Sequence, residues 1–323
     1  MRRARSTAAF ILACSMLGGS PAVAQDAPVA SPKAASPTTP TPVMSGAEIE
    51  RWETDALGFA ERFNDGHPDG DAVFADFAVD GVVIDPTFGD VFLASREEAV
   101  SVWNAFGRDY PDLDATATAA YVTVDGAAFP TDASNLLDVP GGGPFHELRV
   151  FGFEDGLVSS FELLFLVEDL GSLRLGCFAG EECRDQVRDL AGRYARAWSA
   201  GDRAEIAALY REDATLADPM LAIDARGVEA ISGSMDQRFG VGTDVACETL
   251  DAYAQMRNGR PVIGMAVRYR CTRADGDDVR ATEAISVLHL GTRQGRSFDA
   301  DPEGLIVHEL VFHRPESLID LAP

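Results

Sequence analysis

Residues 194–219 read YARAWSAGDRAEIAALYREDATLADP. Tyr194, Ala197 and Trp198 continue a run begun by Val187, Leu190 and Ala191, a helical spacing that leaves one apolar face in need of cover. Gly201 suits the left-handed residue that stops a helix, and Asp202 can cap the next one, whose inward stripe is Ile206, Leu209 and Tyr210. Ala214-Thr215-Leu216-Ala217 then reads as a short strand, with Asp218 at its end before Pro219.

The same order recurs upstream. Ser45 and Glu48 form a capping-box pattern ahead of an amphipathic helix carrying Ile49, Trp52, Ala56, Phe59 and Phe63. A short helix from Asp71 to Phe77 leads into Gly81-Val82-Val83-Ile84, a strand that also stops at Asp-Pro, Asp85-Pro86. Phe77-Ala78-Val79-Asp80 aligns with Tyr210-Arg211-Glu212-Asp213, and Val82 to Pro86 aligns with Thr215 to Pro219. Glu98-Ala99-Val100 matches Glu229-Ala230-Ile231, and Phe161-Glu162-Leu163-Leu164-Phe165 matches His308-Glu309-Leu310-Val311-Phe312. Such self-similarity predicts an α+β chain of two tandem cone-shaped domains, at 45–170 and 175–323. In each, a curved, mostly antiparallel sheet wraps around three helices. On the last strand, alternation places His308, Leu310 and Phe312 on the cone face and Val307, Glu309 and Val311 on the opposite one. That second face is apolar enough to want a partner, which a tandem chain can supply internally as a pseudo-dimer of its two units.

The uninterrupted succession of helical Tyr194, the Gly201-Asp202 turn, Asp213-Ala214-Thr215 and Asp218-Pro219 resembles the nuclear transport factor 2-like superfamily, more narrowly its ketosteroid isomerase and SnoaL-like cyclase branches. The resemblance implies a pocket for a small, largely apolar molecule, served without a cofactor. It implies that Asp218 is the general base moving a proton between carbons, and that Tyr194 donates a hydrogen bond to the developing enolate oxygen. Tyr210 matches a supporting tyrosine, while Met235 stands where that network would have another. Ser286 falls where the isomerases place a second acid. Trp198 shares the helical face of Tyr194 and joins the pocket set, as do His308, Leu310 and Phe312. In the first copy Asp85 persists, but Phe59 and Phe77 replace the two phenols, so that copy is expected to be structural or ligand-binding, with His146 and Glu147 as its inward polar residues.

Plainer roles stand beside these. An Asp before Pro is also a turn cap, a helical Tyr also a core residue, and His308 also a hydrogen-bonded interior histidine. The alternative function is therefore a non-catalytic ligand-binding or protein-interaction module on the same frame.

A length of 323 residues with 46% hydrophobic content suffices for two cores of ordinary domain size. The formal charge is −25, and removing Arg2, Arg3 and Arg5 with residues 1–24 makes it −28. A surface so acidic repels nucleic acid and anionic lipid. Those arginines precede the apolar run Ala8 to Leu17, and Ala22-Val23-Ala24 before Gln25 reads as an export signal cleaved after Ala24. A lipoprotein signal at Cys14 is the competing reading, weakened by Leu12. Residues 25–44, rich in Pro, Ala, Ser and Thr, read as a disordered leader, and no later stretch has the apolar length of a membrane helix. Four cysteines remain after the signal. A hairpin turn at Asn258 to Arg260 would set Cys247 opposite Cys271, and proximity pairs Cys177 with Cys183; free buried thiols are the alternative. No CxxC spacing or histidine pair suggests a metal. Pro140-Gly-Gly-Gly-Pro144 precedes a strand and reads as a turn, and the calcium-like start at Asp299, Asp301 and Glu303 meets Leu310 where a ligating Glu should stand.

Overall fold

A computed structural model describes residues 46–85, 92–134, 145–169, 181–239, 244–255, 264–275, 278–294 and 297–319. The expected export signal and leader, Cys14, Cys177 and the Pro140–Pro144 segment lie outside the described residues, as do the side chains of Asp85 and Cys183, and with them the expected Cys177–Cys183 pairing and the acid of the first Asp-Pro step.

The amphipathic run around Phe59 forms α1, Gly46–Asp65. After it come α2, Gly70–Val73, and β1, Phe77–Asp85, which turns back as β2, Phe92–Ala94. Helix α3, Arg96–Asp109, starts at a capping box in which Ser95 and Glu98 each satisfy the other's backbone amide. The strands β3, Asp114–Ala117, β4, Tyr121–Thr123, β5, Gly126–Ser134, β6, Phe145–Glu154, and β7, Leu157–Leu166, follow. β1 lies antiparallel to β2 and parallel to β7, pairing Val83 with Phe161.

Helix α4, Glu181–Ala200, ends where expected. Gly201 takes a φ of 64°, which an L side chain resists, and a Cβ there would stand 2.7 Å from Met235 Cε. Asp202 then accepts from the amides of Ala204 and Glu205 to start α5, Arg203–Ala207. Tyr210 is not on this helix; it opens β8, Tyr210–Asp218, a longer strand than Ala214–Ala217 alone suggests. A 3₁₀ turn, Pro219–Leu221, links β8 to β9, Ile223–Arg226. Next come α6, Val228–Gly233, and α7, Met235–Phe239. β10, Asp244–Gln255, β11, Gly264–Asp275, and β12, Asp278–His289, are the long strands. A small hairpin, β13, Gly291–Gln294, with β14, Ser297–Ala300, precedes β15, Ile306–His313, and α8, Pro315–Ile319. β8 lies antiparallel to β9 and parallel to β15, pairing Leu216 with Glu309.

The result is an α+β structure whose mostly antiparallel sheet curves into a barrel-like shape. A thirteen-stranded ladder includes β7 pairing with β10 and β15 with β4. One core cluster gathers the helices against the concave side, with Phe59, Phe63, Phe161, Tyr194, Trp198 and Val311 among its members. A separate cluster joins Tyr121, Leu148, Val150 and Leu164 to Tyr253, Ile285, Val287 and Phe312. Cys247 and Cys271 are disulfide-bonded, opposite one another on β10 and β11 despite a register shift between Thr249 and Asp251. No helix among the described residues is long and apolar enough to cross a membrane.

The phase of β15 differs from expectation. Glu309, Val311 and His313 point to the concave side, whereas Phe312 belongs to the second cluster with Leu310 packed against it. The phase that carries Leu310 and Phe312 is the more hydrophobic one, and it covers the opposing strands while the concave side takes the polar groups. Leu310 and Phe312 therefore do not line the cone. Nor does His308, which bonds Thr215 Oγ1 at 2.7 Å and stacks on His289 at a centroid distance of 5.6 Å.

Candidate active site

Asp218 ends the buried alternation of β8, so its carboxylate enters the concave side with no exposed surface. Both of its oxygens lie 2.9 Å from His313 Nε2, and Oδ1 accepts from the Leu221 amide at 3.3 Å. It is thus an interior acid and a turn cap at once. Burial pushes its pKa up, the facing His313 pulls it down by charge and hydrogen bond, and the net lies below the ordinary aspartate value. His313 is 2% exposed.

A second polar cluster surrounds Tyr194, which α4 delivers with its ring fully covered. Tyr194 Oη donates to Glu309 Oε1 at 2.6 Å and lies 2.8 Å from Ser286 Oγ. Ser286 Oγ donates to the same Glu309 oxygen at 2.7 Å, and Tyr210 Oη donates to the other. Arg238, from α7, sets its Nη2 2.6 Å from Tyr269 Oη, 3.1 Å from Glu309 Oε1, 3.2 Å from Tyr194 Oη and 3.3 Å from Ser286 Oγ. Its guanidinium lies over the Trp198 ring, 4.5 Å from the centroid. Burial, reinforced by the charge of Glu309, raises the Tyr194 and Tyr210 hydroxyls well above an ordinary tyrosine, so both stay protonated donors. Arg238 also interacts electrostatically with Asp218, which ties the two clusters together.

Tyr194, Tyr210, Ser286 and Trp198 are therefore assembled around one point, with Asp218 on the same concave side. Four participants were not singled out from the sequence: Arg238, Tyr269, Glu309 and His313. A polar residue on alternate positions of β15, Glu309 then His313, was the available signal, and Arg238 follows Met235 by three positions, within one helical turn. Elsewhere Glu147 is buried beside Arg149, itself bonded to Asn64 Oδ1, whereas His146 reaches Asp169 Oδ2 at 2.7 Å with its side chain 41% exposed. Asp301, in the calcium-like segment, caps its own turn by accepting from the amides of Glu303 and Leu305.

The SnoaL-like domain family matches residues 191–299, which contain Tyr194, Tyr210, Asp218, Arg238, Tyr269 and Ser286. A Steroid Delta-isomerase of Nocardioides simplex is 34% identical over 137 residues, 42% of this chain and 94% of that protein. Among solved structures, a protein of ketosteroid isomerase-like fold from Catenulispora acidiphila, in complex with trimethylamine, is 16% identical, with a TM-score of 0.31 over 42% of this chain and 98% of its own. The epoxide hydrolase/cyclase-like enzyme SalBIII, of pyran ring formation in the polyether salinomycin, is 22% identical with a TM-score of 0.31, covering 40% of this chain and 91% of its own.

Proposed function

This chain belongs to the SnoaL-like and ketosteroid isomerase-like branch of the nuclear transport factor 2-like superfamily, and on that premise we propose that its second cone takes a small, largely apolar carbonyl compound and moves a proton between two of its carbons, with Asp218 as the base. The observation that carries this reading is the Asp218 carboxylate itself, wholly buried, charged at neutral pH and oriented by His313. A buried carboxylate without a task is costly to keep, which is why such groups concentrate at working sites. The proton leaves the carbon beside the carbonyl for Asp218 and returns to a more distant carbon, while protonated hydroxyls around Tyr194 hold the negative oxygen in between. The name of the relative, a Steroid Delta-isomerase, makes a steroid ketone whose double bond lies one carbon out of conjugation the first compound to try.

The same reading makes 45–170 and 175–323 two copies of one unit, set back to back as a pseudo-dimer. In support, the β1–β2–β7 pairing has the same sense as the β8–β9–β15 pairing, and Val83 beside Phe161 matches Leu216 beside Glu309. That register shifts the alignment of the last strands by one residue, so Glu309 answers to Phe161 rather than to Glu162. In the first copy Phe59, Phe77 and Phe161 fill with rings what Tyr194, Tyr210 and Glu309 fill with hydrogen bonds, and we assign that copy a structural role. The seam cluster around Phe312 and Leu164 supports the back-to-back arrangement. Export to an oxidising compartment is compatible with the Cys247–Cys271 bond.

One observation favours a purely binding role: Glu309 already accepts from the hydroxyls that an enolate oxygen would need. Following the conjugated enone by its ultraviolet absorption separates the two. As an enzyme, the full chain forms the conjugated product and Asp218→Asn slows it by about 10²–10⁴-fold with the fold retained. Absence of turnover in the wild type, together with a hydrophobic molecule retained in native mass spectrometry of protein from its own host, would establish the binding role instead.

A further inference from the structure

Four polar contacts converge on Glu309 from four elements of the second cone. Tyr194 comes from α4, Tyr210 from β8, Ser286 from β12 and Arg238 from α7; the guanidinium and two hydroxyls meet at Oε1, the third hydroxyl at Oε2. All these partners donate, so the carboxylate acts as a pure acceptor with no exposed surface. Structural need does not account for the arrangement. A buried ion pair adds little stability over a well-packed apolar substitute. This chain contains such a substitute at the matching register position, where Phe161 stacks on Phe151 at 4.8 Å.

Take away the carboxylate, and what remains is one guanidinium and three hydroxyls aimed at a single buried point on the concave side. One positive charge in a fixed fork, with hydroxyls beside it, is the donor set that recognises one organic oxyanion. The low-dielectric surroundings strengthen each contact.

We propose that Glu309 is a built-in occupant of an oxyanion site, whose donors a carboxylate- or enolate-bearing ligand with an apolar body takes over when the Glu309 side chain leaves them. This deepens the reading of the second cone given above and rests on it for the location of the ligand. Glu309 then sets the affinity: every ligand oxyanion competes with an internal one at very high effective concentration. Selectivity for charge follows, because a neutral ligand head leaves Arg238 without the negative partner it has in Glu309.

The test is calorimetric titration of the full-length protein with benzoate, and with uncharged benzamide as its shape control. Glu309→Ala is expected to bind one benzoate about tenfold or more tighter than wild type, with no comparable gain for benzamide, and adding Arg238→Met should abolish the gain. Where Glu309→Ala does not fold, Glu309→Gln preserves the shape without the charge and is expected to show the same direction. A folded variant that binds benzoate no tighter than wild type overturns the proposal, as does an equal gain for benzamide, which marks a mere cavity. Weaker binding by Glu309→Gln also overturns it, since Glu309 would then be a ligand contact. The readout is binding, so it stands apart from the isomerase assay: an inactive wild type leaves it intact, and an active one whose variants ignore benzoate sinks only the internal occupant.

Discussion

His313 Nε2 stands 2.9 Å from each carboxylate oxygen of Asp218, and neither side chain reaches solvent. One nitrogen held equally by two oxygens leaves the carboxylate little rotational freedom. The last residue of β15 thereby orients the last residue of β8, two strands that run parallel side by side.

Removing the imidazole strands a buried carboxylate. His313→Ala is therefore expected to lower stability by about 3 kcal/mol, read from urea unfolding at neutral pH. Combining it with Asp218→Asn should cost less than the sum of the two, by about 1–3 kcal/mol, because the second change relieves the charge that the first leaves unpaired. Strict additivity would mean that the two residues do not act as a pair.

Acid should weaken the protein through His308. Burial, followed by the nearby His289, depresses its pKa to about 4 from an ordinary 6.5. The folded state therefore resists a proton that the unfolded chain accepts. The contribution is complete above pH 6.5 and is lost as pH falls toward 4, by about 3 kcal/mol at most. His289 acts oppositely: Glu162, 3.1 Å from its Nε2, raises it against the effect of burial, so its contribution is present below 6.5 and fades as pH rises through the raised value. Unfolding curves between pH 7 and 4 for wild type and His308→Gln check this, the variant being expected to lose less stability on acidification.

The surroundings of Tyr210 and of Phe161 should answer differently to trimming. Tyr210→Phe removes one of several donors to Glu309 and is expected to cost about 1–2 kcal/mol. Phe161→Ala leaves a void among Phe63, Phe77 and Phe151 and should cost about 3–5 kcal/mol. Chemical denaturation of both variants gives the comparison.

Reduction should matter as well. The Cys247–Cys271 bond closes a separation of 24 residues, which in the chain-entropy view is worth about 3 kcal/mol. Cys247→Ala with Cys271→Ala is expected to lower the melting temperature by several degrees, on the order of the shift such a loss produces in a protein of this size.

Most of the frame could be read from local chemistry. Gly201 and Asp202 mark a helix end and start by backbone conformation and side-chain reach, and both do so here. Opposition of Cys247 and Cys271 followed from counting across a hairpin. Tyr194, Tyr210, Ser286 and Asp218 were legible as a set because the order of elements resembles a known family. What stayed hidden was the phase of β15. His308, Leu310 and Phe312 look like an interior row, yet a strand with apolar cover on both sides offers two interiors, and alternation does not say which is concave. Choosing the greasier row put Glu309 and His313 outside, and with them went the partner of Asp218 and the acceptor of Tyr194. Arg238 was invisible for a related reason: an arginine in a short helix ordinarily faces water, and only the assembled cone supplies the carboxylate and ring faces that let it turn in.

The cross-links of β7 to β10 and of β15 to β4 carry a practical implication for anyone wishing to isolate the part that holds Asp218. Cut free, residues 175–323 would present Ile285, Val287 and Phe312 bare, beside an unclaimed ribbon edge at Tyr253 and Ala254. A fragment with that exterior finds cover in its own kind, so the minimal piece should assemble in twos, each recovering from a twin what the intact polypeptide supplies by itself.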